Sequence, residues 1–204
     1  MFVKVCGITR MEDAQHAVER GATALGFVFW PRSPRRIEPA VVAEIVAELP
    51  QTVITAGVFV NETSEGIART MEKARLTHVQ LHGDEPVSYS EVLAWPILRS
   101  VTLDTSAAIV SEWPADTTLL LDAADPERRG GTGQAVDWTR AATLARRRRV
   151  VLAGGLTPEN VEEAIAAVRP YGIDVSSGVE DAPGLKNAEK VSLFLANALK
   201  AMET

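Results

Sequence analysis

Hydrophobic and polar positions alternate in the same order along the whole chain. Short runs rich in Val, Ile, Leu and Phe end at a turn, and a longer amphipathic segment follows each of them. These runs predict eight β-strands, at Phe2–Cys6, Ala24–Phe29, Val53–Phe59, His78–Leu81, Ile97–Val101, Thr118–Asp122, Val150–Ala153 and Gly172–Val175. Strands that alternate with amphipathic segments are typical of a parallel sheet with helical crossovers.

The amphipathic segments predict a helix after each strand. Their expected starts lie near Met11, Pro39, Ser64, Pro86, Thr105, Asp137, Pro158 and Asn187. Several of these residues are favoured at helix N-termini as caps or as the first helical residue. Eight such units of roughly 25 residues fit a closed (β/α)₈ TIM barrel in a single domain, residues 1–204. An open, doubly wound sheet is the alternative, since periodicity does not show whether a sheet closes, and the eighth unit favours the barrel.

Composition and charge narrow the classes of function. The 204 residues are 46% hydrophobic and 24% charged, which is enough for a large core and unlike a disordered chain. No apolar stretch approaches the ~20 residues of a membrane helix, and the first ten residues lack the apolar centre of a signal peptide. The net charge of -6 argues against general affinity for nucleic acid. We therefore expect a cytoplasmic protein with a small-molecule ligand, and neither a nucleic-acid nor a membrane partner.

Two loops rich in small residues follow the last two predicted strands. They contain Gly154 and Gly155 after strand 7, and Ser176, Ser177 and Gly178 after strand 8. In a TIM barrel these two loops commonly expose backbone N–H groups to a phosphate. Glycines also serve tight turns without any ligand. Because two such loops lie on adjacent strands, the pattern favours a phosphate site that needs no basic surface.

The only cysteine of the chain ends the first predicted strand. Side chains alternate across a strand, so if Cys6 faces the barrel interior, Lys4 does too. A buried ammonium needs a partner, and Asp174 has inward parity on strand 8, which neighbours strand 1 in a closed barrel. We therefore predict a Lys4–Asp174 ion pair below Cys6. The cation is expected to lower the pKa of the thiol, although an isolated cysteine is also often a plain buried hydrophobe.

Asp122 ends the sixth predicted strand after three leucines. An acid at this place is either a helix cap or a site carboxylate, and no helix is predicted directly after it. A loop comes first, and Gly130–Gly133 within it suits a flexible cover over the site. The apolar strand end is expected to raise the pKa of Asp122. No His, Cys or Asp group has metal-ligand spacing and no dinucleotide motif is present, so we expect neither metal nor cofactor.

A series of short motifs, in order along nearly the whole chain, resembles the phosphoribosylanthranilate isomerase family. The motifs are KVCGIT (4–9), GFVF (26–29), SPR (33–35), GVFVN (57–61), VQLHG (79–83), LLD (120–122), GGTG with DW (130–138), AGGL (153–156) and DVSSGVE (174–180). The resemblance implies a phosphate-binding (β/α)₈ barrel, and we expect either a monomer or a homodimer. It would convert N-(5'-phosphoribosyl)anthranilate into 1-(2-carboxyphenylamino)-1-deoxyribulose 5-phosphate in tryptophan biosynthesis.

The resemblance also implies a role for each site residue. Cys6 would be the general base and Asp122 the general acid of an Amadori rearrangement. Arg35 would bind the anthranilate carboxylate, Gln80 and His82 would line the sugar and the aromatic ring, and Asp174 would lie at the hydroxyl groups. The phosphate would be held at Gly154, Gly155, Ser176, Ser177 and Gly178.

Arg36 occupies a position where this family often has an aromatic residue, which leaves Arg35 and Arg36 as alternative carboxylate ligands. Asn187 stands where the family often has Asp, and Asn caps a helix about as well. Two other functions are open on sequence grounds. One is a sugar-phosphate isomerase of histidine biosynthesis, which should carry Asp or Lys in place of Cys6. The other is a non-catalytic barrel that binds a phosphosugar.

Overall fold

The computed structural model describes residues 2–123 and 136–202, and within these ranges eight parallel strands close into a barrel. The strands are β1 Phe2–Cys6, β2 Ala24–Val28, β3 Ile54–Phe59, β4 His78–Leu81, β5 Ile97–Val101, β6 Thr118–Leu121, β7 Val150–Leu152 and β8 Gly172–Val175. Each strand pairs with the next, and β8 pairs with β1. The predicted TIM barrel is therefore confirmed, and the open sheet is excluded.

Helices follow the strands and cover the outside of the barrel. They are α1 Met11–Glu19, α2 Pro39–Ala47, α3 Ser64–Ala74, α4 Tyr89–Val92, α5 Ser106–Glu112, α6 Trp138–Ala145, α7 Val161–Val168 and α8 Ala188–Met202. Between β8 and α8 lie a 3₁₀ helix, Ser177–Val179, and a small hairpin of β9 Glu180–Ala182 and β10 Leu185–Lys186. The sequence pattern did not predict this hairpin.

The predicted element boundaries were wrong by one to three residues at several ends. Strands β2, β6 and β7 each end one residue earlier than predicted, β3 begins one residue later, and α4 begins at Tyr89 rather than Pro86. Pro86 instead accepts a turn hydrogen bond from the Tyr89 N–H. Boundaries depend on such local hydrogen bonds, which hydrophobic periodicity does not specify.

Alternate residues of each strand divide between two cores. On β1, Val3 and Val5 pack outward against the helices, in the large core that also contains Leu25 and Phe27. Phe2 belongs to a smaller cluster inside the barrel, with Leu98 and Leu120 among its members. This inner apolar layer fills the N-terminal part of the barrel and leaves its C-terminal end to polar residues. Among the helices described, none combines the length and apolarity needed to cross a membrane.

Candidate active site

Lys4 and Asp174 form a buried ion pair inside the barrel. The register places Lys4 opposite Asp174, and Lys4 Nζ donates to Asp174 Oδ1 at 3.0 Å. The Lys4 side chain is fully buried and that of Asp174 nearly so. The pair predicted from strand parity is thus confirmed. Burial alone would lower the pKa of Lys4, but the charges of Asp174 and Cys6 hold it above its ordinary value.

Cys6 lies at the C-terminal end of β1, in the same interior space as the Lys4 ammonium. Gly26 on the neighbouring strand makes room for both groups, because a Cβ at this position would lie 2.7 Å from Cys6 Sγ and 3.0 Å from Lys4 Nζ. The sulfur therefore packs directly against the backbone of β2. A side chain at position 26 would displace the sulfur or the cation.

The predicted lowering of the Cys6 pKa is wrong for this structure. Burial raises the pKa of the thiol, and the positive charge of Lys4 opposes that rise only in part. The physical reason is the burial of the sulfur, and the negative charge of Asp174 adds to the rise in the pKa of Cys6. The carboxylate that stabilises the buried lysine thus opposes the effect of that lysine on the sulfur.

We expect the thiolate absorbance of Cys6, followed near 240 nm in the ligand-free protein, to show a midpoint above the ordinary cysteine pKa of about 8.5. Because Cys6 is the only cysteine, its titration is isolated by subtracting that of Cys6→Ser, which carries the same tyrosines. Asp174→Asn should move the midpoint to lower pH. A midpoint well below 8.5 in the unaltered protein would contradict a raised pKa of Cys6.

Gln80 on β4, Ser100 on β5 and His82, directly after β4, form a polar cluster. Gln80 Nε2 lies 3.1 Å from His82 Nδ1, and Ser100 Oγ lies 2.9 Å from the same nitrogen. An amide nitrogen only donates, so His82 Nδ1 accepts and the neutral ring carries its proton on Nε2. Nε2 points toward Asp122, with 3.5 Å to Oδ2. The cluster thus orients His82 relative to Asp122.

His82 stays neutral because it is buried. Burial and then the charge of Lys4 lower its pKa from 6.5 to about 4. Between pH 6.5 and pH 4 the unfolded chain binds a proton at His82 that the folded protein does not bind. The free energy of unfolding is therefore highest above pH 6.5 and decreases as the pH falls through this range. At pH 5 the loss relative to pH 7 amounts to about 2 kcal/mol, at 1.36 kcal/mol per pKa unit.

The free energy of unfolding should decrease between pH 7 and pH 5 in both proteins, and we expect this decrease to be about 2 kcal/mol smaller in His82→Gln than in the unaltered protein. Urea denaturation at the two pH values measures this difference. His16→Gln on α1 is the matched control and should keep the full decrease. An identical decrease in the His82→Gln protein would contradict a neutral, buried His82.

Asp122 follows β6 directly and is buried, at 9% exposure. Its Oδ1 accepts a hydrogen bond of 2.8 Å from the Ala123 N–H. In the described part of the chain it caps no helix, since α6 begins at Trp138 and is capped by Asp137. The role of Asp122 as a site carboxylate stays a prediction, and its position 3.5 Å from His82 Nε2 agrees with it. The proposed cover, Gly130–Gly133, lies outside the described residues.

Arg35 lies above the turn that follows Cys6. A Cβ on Gly7, where φ is +76°, would come within 2.6 Å of Arg35 Cδ and 3.2 Å of Ser176 Oγ. The Arg35 side chain therefore crosses the rim between strands 1 and 8. Arg36 instead pairs with Glu38 at 2.7 Å on the surface. The positions favour Arg35 over Arg36 as the arginine of the site.

Glu180 and Lys186, on the small hairpin, are buried site residues that the sequence analysis missed. Glu180 receives two hydrogen bonds from Arg35 Nε and one of 2.7 Å from Nη2. Lys186 Nζ donates to the other side of the same carboxylate at 2.7 Å. Glu180 was visible only as the end of the DVSSGVE motif, and Lys186 stands six residues later with no pattern around it.

The two loops predicted to bind phosphate lie side by side at the ends of β7 and β8. The 3₁₀ helix Ser177–Val179 begins directly after β8 and Ser176, so the first N–H groups of the helix have no partner within it. In the β7 loop, Asn160 Nδ2 donates to the Gly155 carbonyl at 2.8 Å and its Oδ1 accepts from the Thr157 N–H at 2.8 Å. Gly154, Gly155, Ser176, Ser177 and Gly178 thus lie together at one edge of the rim.

Comparisons with known proteins agree with this geometry. The family model "N-(5'phosphoribosyl)anthranilate (PRA) isomerase" matches residues 3–197. An N-(5'-phosphoribosyl)anthranilate isomerase of Trichlorobacter lovleyi is 46% identical over 203 residues, covering 98% of each chain. The crystal structure of phosphoribosyl anthranilate isomerase from Thermus thermophilus superposes with a TM-score of 0.88 at 44% identity, covering 98% of this chain and 99% of its own.

A further similar structure contains a ligand. It is a phosphoribosyl anthranilate isomerase in complex with reduced 1-(o-carboxyphenylamino)-1-deoxyribulose 5-phosphate. Its TM-score is 0.86 at 40% identity, with 98% of this chain and 99% of that chain covered. The family model and the relatives thus match nearly the entire chain described above. This chain belongs to the N-(5'-phosphoribosyl)anthranilate isomerase family.

Proposed function

We propose that this protein is a cytoplasmic N-(5'-phosphoribosyl)anthranilate isomerase of tryptophan biosynthesis, with Cys6 as general base and Asp122 as general acid. The observation that carries the proposal is the placement of these two groups in a chain of this family. Cys6 ends β1 and Asp122 follows β6, and β7 and β8 separate these strands on the shorter way around the barrel. A sugar bound at the rim can therefore meet the acid and the base on different sides.

Asp122 acts in the first step, in which the furanose ring opens. It donates a proton to the ring oxygen, the bond between C1' and that oxygen breaks, and a protonated Schiff base forms between C1' and the anthranilate nitrogen. The proposal requires Asp122 to carry a proton when the substrate binds. Asp122 is buried at 9% exposure directly after β6, which places its carboxyl group at the rim where the sugar would bind.

Cys6 acts in the second step, in which C2' loses its proton. The thiolate takes this proton, and the electron pair left on C2' forms a double bond to C1' while the nitrogen becomes neutral. The resulting enol then becomes the ketone as its hydroxyl proton is replaced by one on C1'. The charge of Lys4 near the sulfur offsets part of the rise in the pKa of Cys6 that burial causes. No atoms are gained or lost, and the step needs no external oxidant.

The remaining residues bind the substrate. Arg35 offers a guanidinium to the anthranilate carboxylate, and the loops at Gly154–Gly155 and Ser176–Gly178 offer backbone N–H groups to the phosphate. Gln80 Oε1 is buried and accepts no hydrogen bond from the described residues, so it suits a hydroxyl group of the sugar. Asp174 already binds Lys4 below the sulfur, and a contact with substrate hydroxyls would add to that role.

The test is an assay of the unaltered protein. N-(5'-phosphoribosyl)anthranilate is formed in situ from anthranilate and phosphoribosyl pyrophosphate, and its fluorescence is followed after the protein is added. The proposal predicts a fluorescence decrease that is proportional to protein concentration. A decrease no faster than spontaneous breakdown of the substrate would refute it. Binding without turnover would instead favour the non-catalytic phosphosugar barrel.

A further inference from the structure

Glu180 lies between two cations that reach different parts of the site. Its Oε1 accepts from Arg35 Nε at 2.9 Å, from Lys186 Nζ at 2.7 Å and from the Gly184 N–H at 3.2 Å. Its Oε2 accepts from Arg35 Nη2 at 2.7 Å. One edge of the Arg35 guanidinium is therefore bound in a forked arrangement, which sets the plane of the group.

Lys186 links the Glu180 carboxylate to the C-terminal ends of β1 and β8. Besides its bond to Glu180, its Nζ donates to the Cys6 carbonyl at the end of β1 and to the Ser176 carbonyl after β8, the latter at 3.3 Å. The Lys186 and Glu180 side chains are only 1% and 4% exposed. Burial and these hydrogen bonds hold both side chains in place. Together they connect the backbone at Cys6, the proposed base, with the backbone at Ser176 in the proposed phosphate loop.

Among the described residues around Glu180, the charge balance leaves one positive charge for a ligand. Arg35 and Lys186 together carry two charges, and Glu180 neutralises one of them. Lys186 is buried and bonded to two carbonyl groups, whereas the Arg35 side chain is 14% exposed and lies above Gly7. The uncompensated charge is therefore available at the free edge of Arg35, beside Cys6 and Ser176.

We infer that Glu180, held by Lys186, is a positioning residue that orients Arg35 for the carboxylate of the substrate. The inference rests on the proposed function, since it takes the anthranilate carboxylate as the group that Arg35 binds. It assigns to the β9–β10 hairpin a role in substrate selection: the hairpin makes affinity depend on an ortho carboxylate. Glu180 need not touch the substrate to do this.

Two probes test the inference: reduced 1-(o-carboxyphenylamino)-1-deoxyribulose 5-phosphate and the same compound without its carboxyl group. The dissociation constant of each is measured by titration calorimetry for the unaltered protein, Glu180→Gln, Arg35→Ala and the double variant. Glu180→Gln should weaken the carboxylate probe about 10-fold, because a charge-assisted contact of Arg35 is misplaced, and should change the other probe less than 2-fold. The double variant should bind no more weakly than Arg35→Ala alone.

Glu38→Gln is the matched control, since Glu38 forms a similar 2.7 Å pair with Arg36 on the surface. It should leave both dissociation constants unchanged. Equal losses for the two probes in Glu180→Gln, or additive losses in the double variant, would overturn the inference in favour of a purely structural role. Should Glu180→Gln fail to fold, Glu180→Asp keeps the charge on a shorter side chain. The same selective loss then supports the inference, and equal losses overturn it.

The unaltered protein separates this inference from the proposed function. If it turns over N-(5'-phosphoribosyl)anthranilate and the variants show no selectivity between probes, only the role of Glu180 is wrong. If it neither turns over the substrate nor binds the carboxylate probe, the proposed function itself is wrong.

Discussion

Cys6→Ala should lower kcat by about 10²–10⁴-fold, because removal of a general base typically costs this much. Substrate binding should persist, since the proposed carboxylate and phosphate contacts lie elsewhere on the rim. Cys6→Ser is the matched variant, as it keeps a side chain of similar size while offering a much weaker base. Both proteins should bind the reduced product analogue with near-normal affinity. The measurement is steady-state turnover followed by fluorescence.

The step at which the reaction stops in Cys6→Ala shows whether Cys6 is the general base or only a structural residue. With Cys6 absent, the ring still opens, so the Schiff base should accumulate before C2' loses its proton. Borohydride added during a single turnover should therefore trap more of the open-chain amine in Cys6→Ala than in the unaltered protein. Near-full turnover in Cys6→Ala would rule out the proposed mechanism while leaving the function intact.

Asp122→Asn should also reduce kcat by about 10²–10⁴-fold, because an amide of the same shape has no proton to donate to the ring oxygen. The side chain can still accept the Ala123 N–H bond, so the fold around β6 should be preserved. The substrate should remain in its closed furanose form, and borohydride should trap little amine. The amount of trapped amine should therefore rise in Cys6→Ala and fall in Asp122→Asn, relative to the unaltered protein.

Asp104→Asn is the matched control for this substitution. Asp104 pairs with Arg140 at 3.3 Å on the surface, where its side chain is 77% exposed. Loss of such an exposed pair changes stability by at most about 1 kcal/mol and should leave turnover unchanged. A loss in Asp122→Asn no larger than in Asp104→Asn would remove Asp122 from the mechanism.

The ion pair between Lys4 and Asp174 shows how far strand periodicity can be used. Parity placed both residues inside the barrel, and closure of the sheet made their strands neighbours, which led to the pair that the structure contains. The same reasoning was wrong about the Cys6 pKa. Parity identifies which charges surround the sulfur, but the direction of the pKa shift depends on burial and on distances that only packing determines.

The hairpin after β8 shows the opposite case. Glu180 and Lys186 lie six residues apart in the chain, yet they meet at 2.7 Å and join Arg35, which is 145 residues from Glu180. Neither residue belongs to a period of two or 3.6, since the strands that carry them are only two and three residues long. A contact made by such short elements leaves no repeating pattern that could predict it.

The order of strands and helices and the shared parity of Lys4 and Cys6 were therefore determined by the sequence alone, which favoured the barrel over an open sheet without deciding between them. Side chains of a strand alternate between buried and exposed faces, and this produces a period of two in the sequence that can be recognised without knowing the fold. The pKa directions of Cys6 and His82 and the coupling of Arg35 to Glu180 were decided by tertiary structure. Electrostatic interactions depend on distance and burial between groups remote in sequence, and only the folded chain sets those quantities.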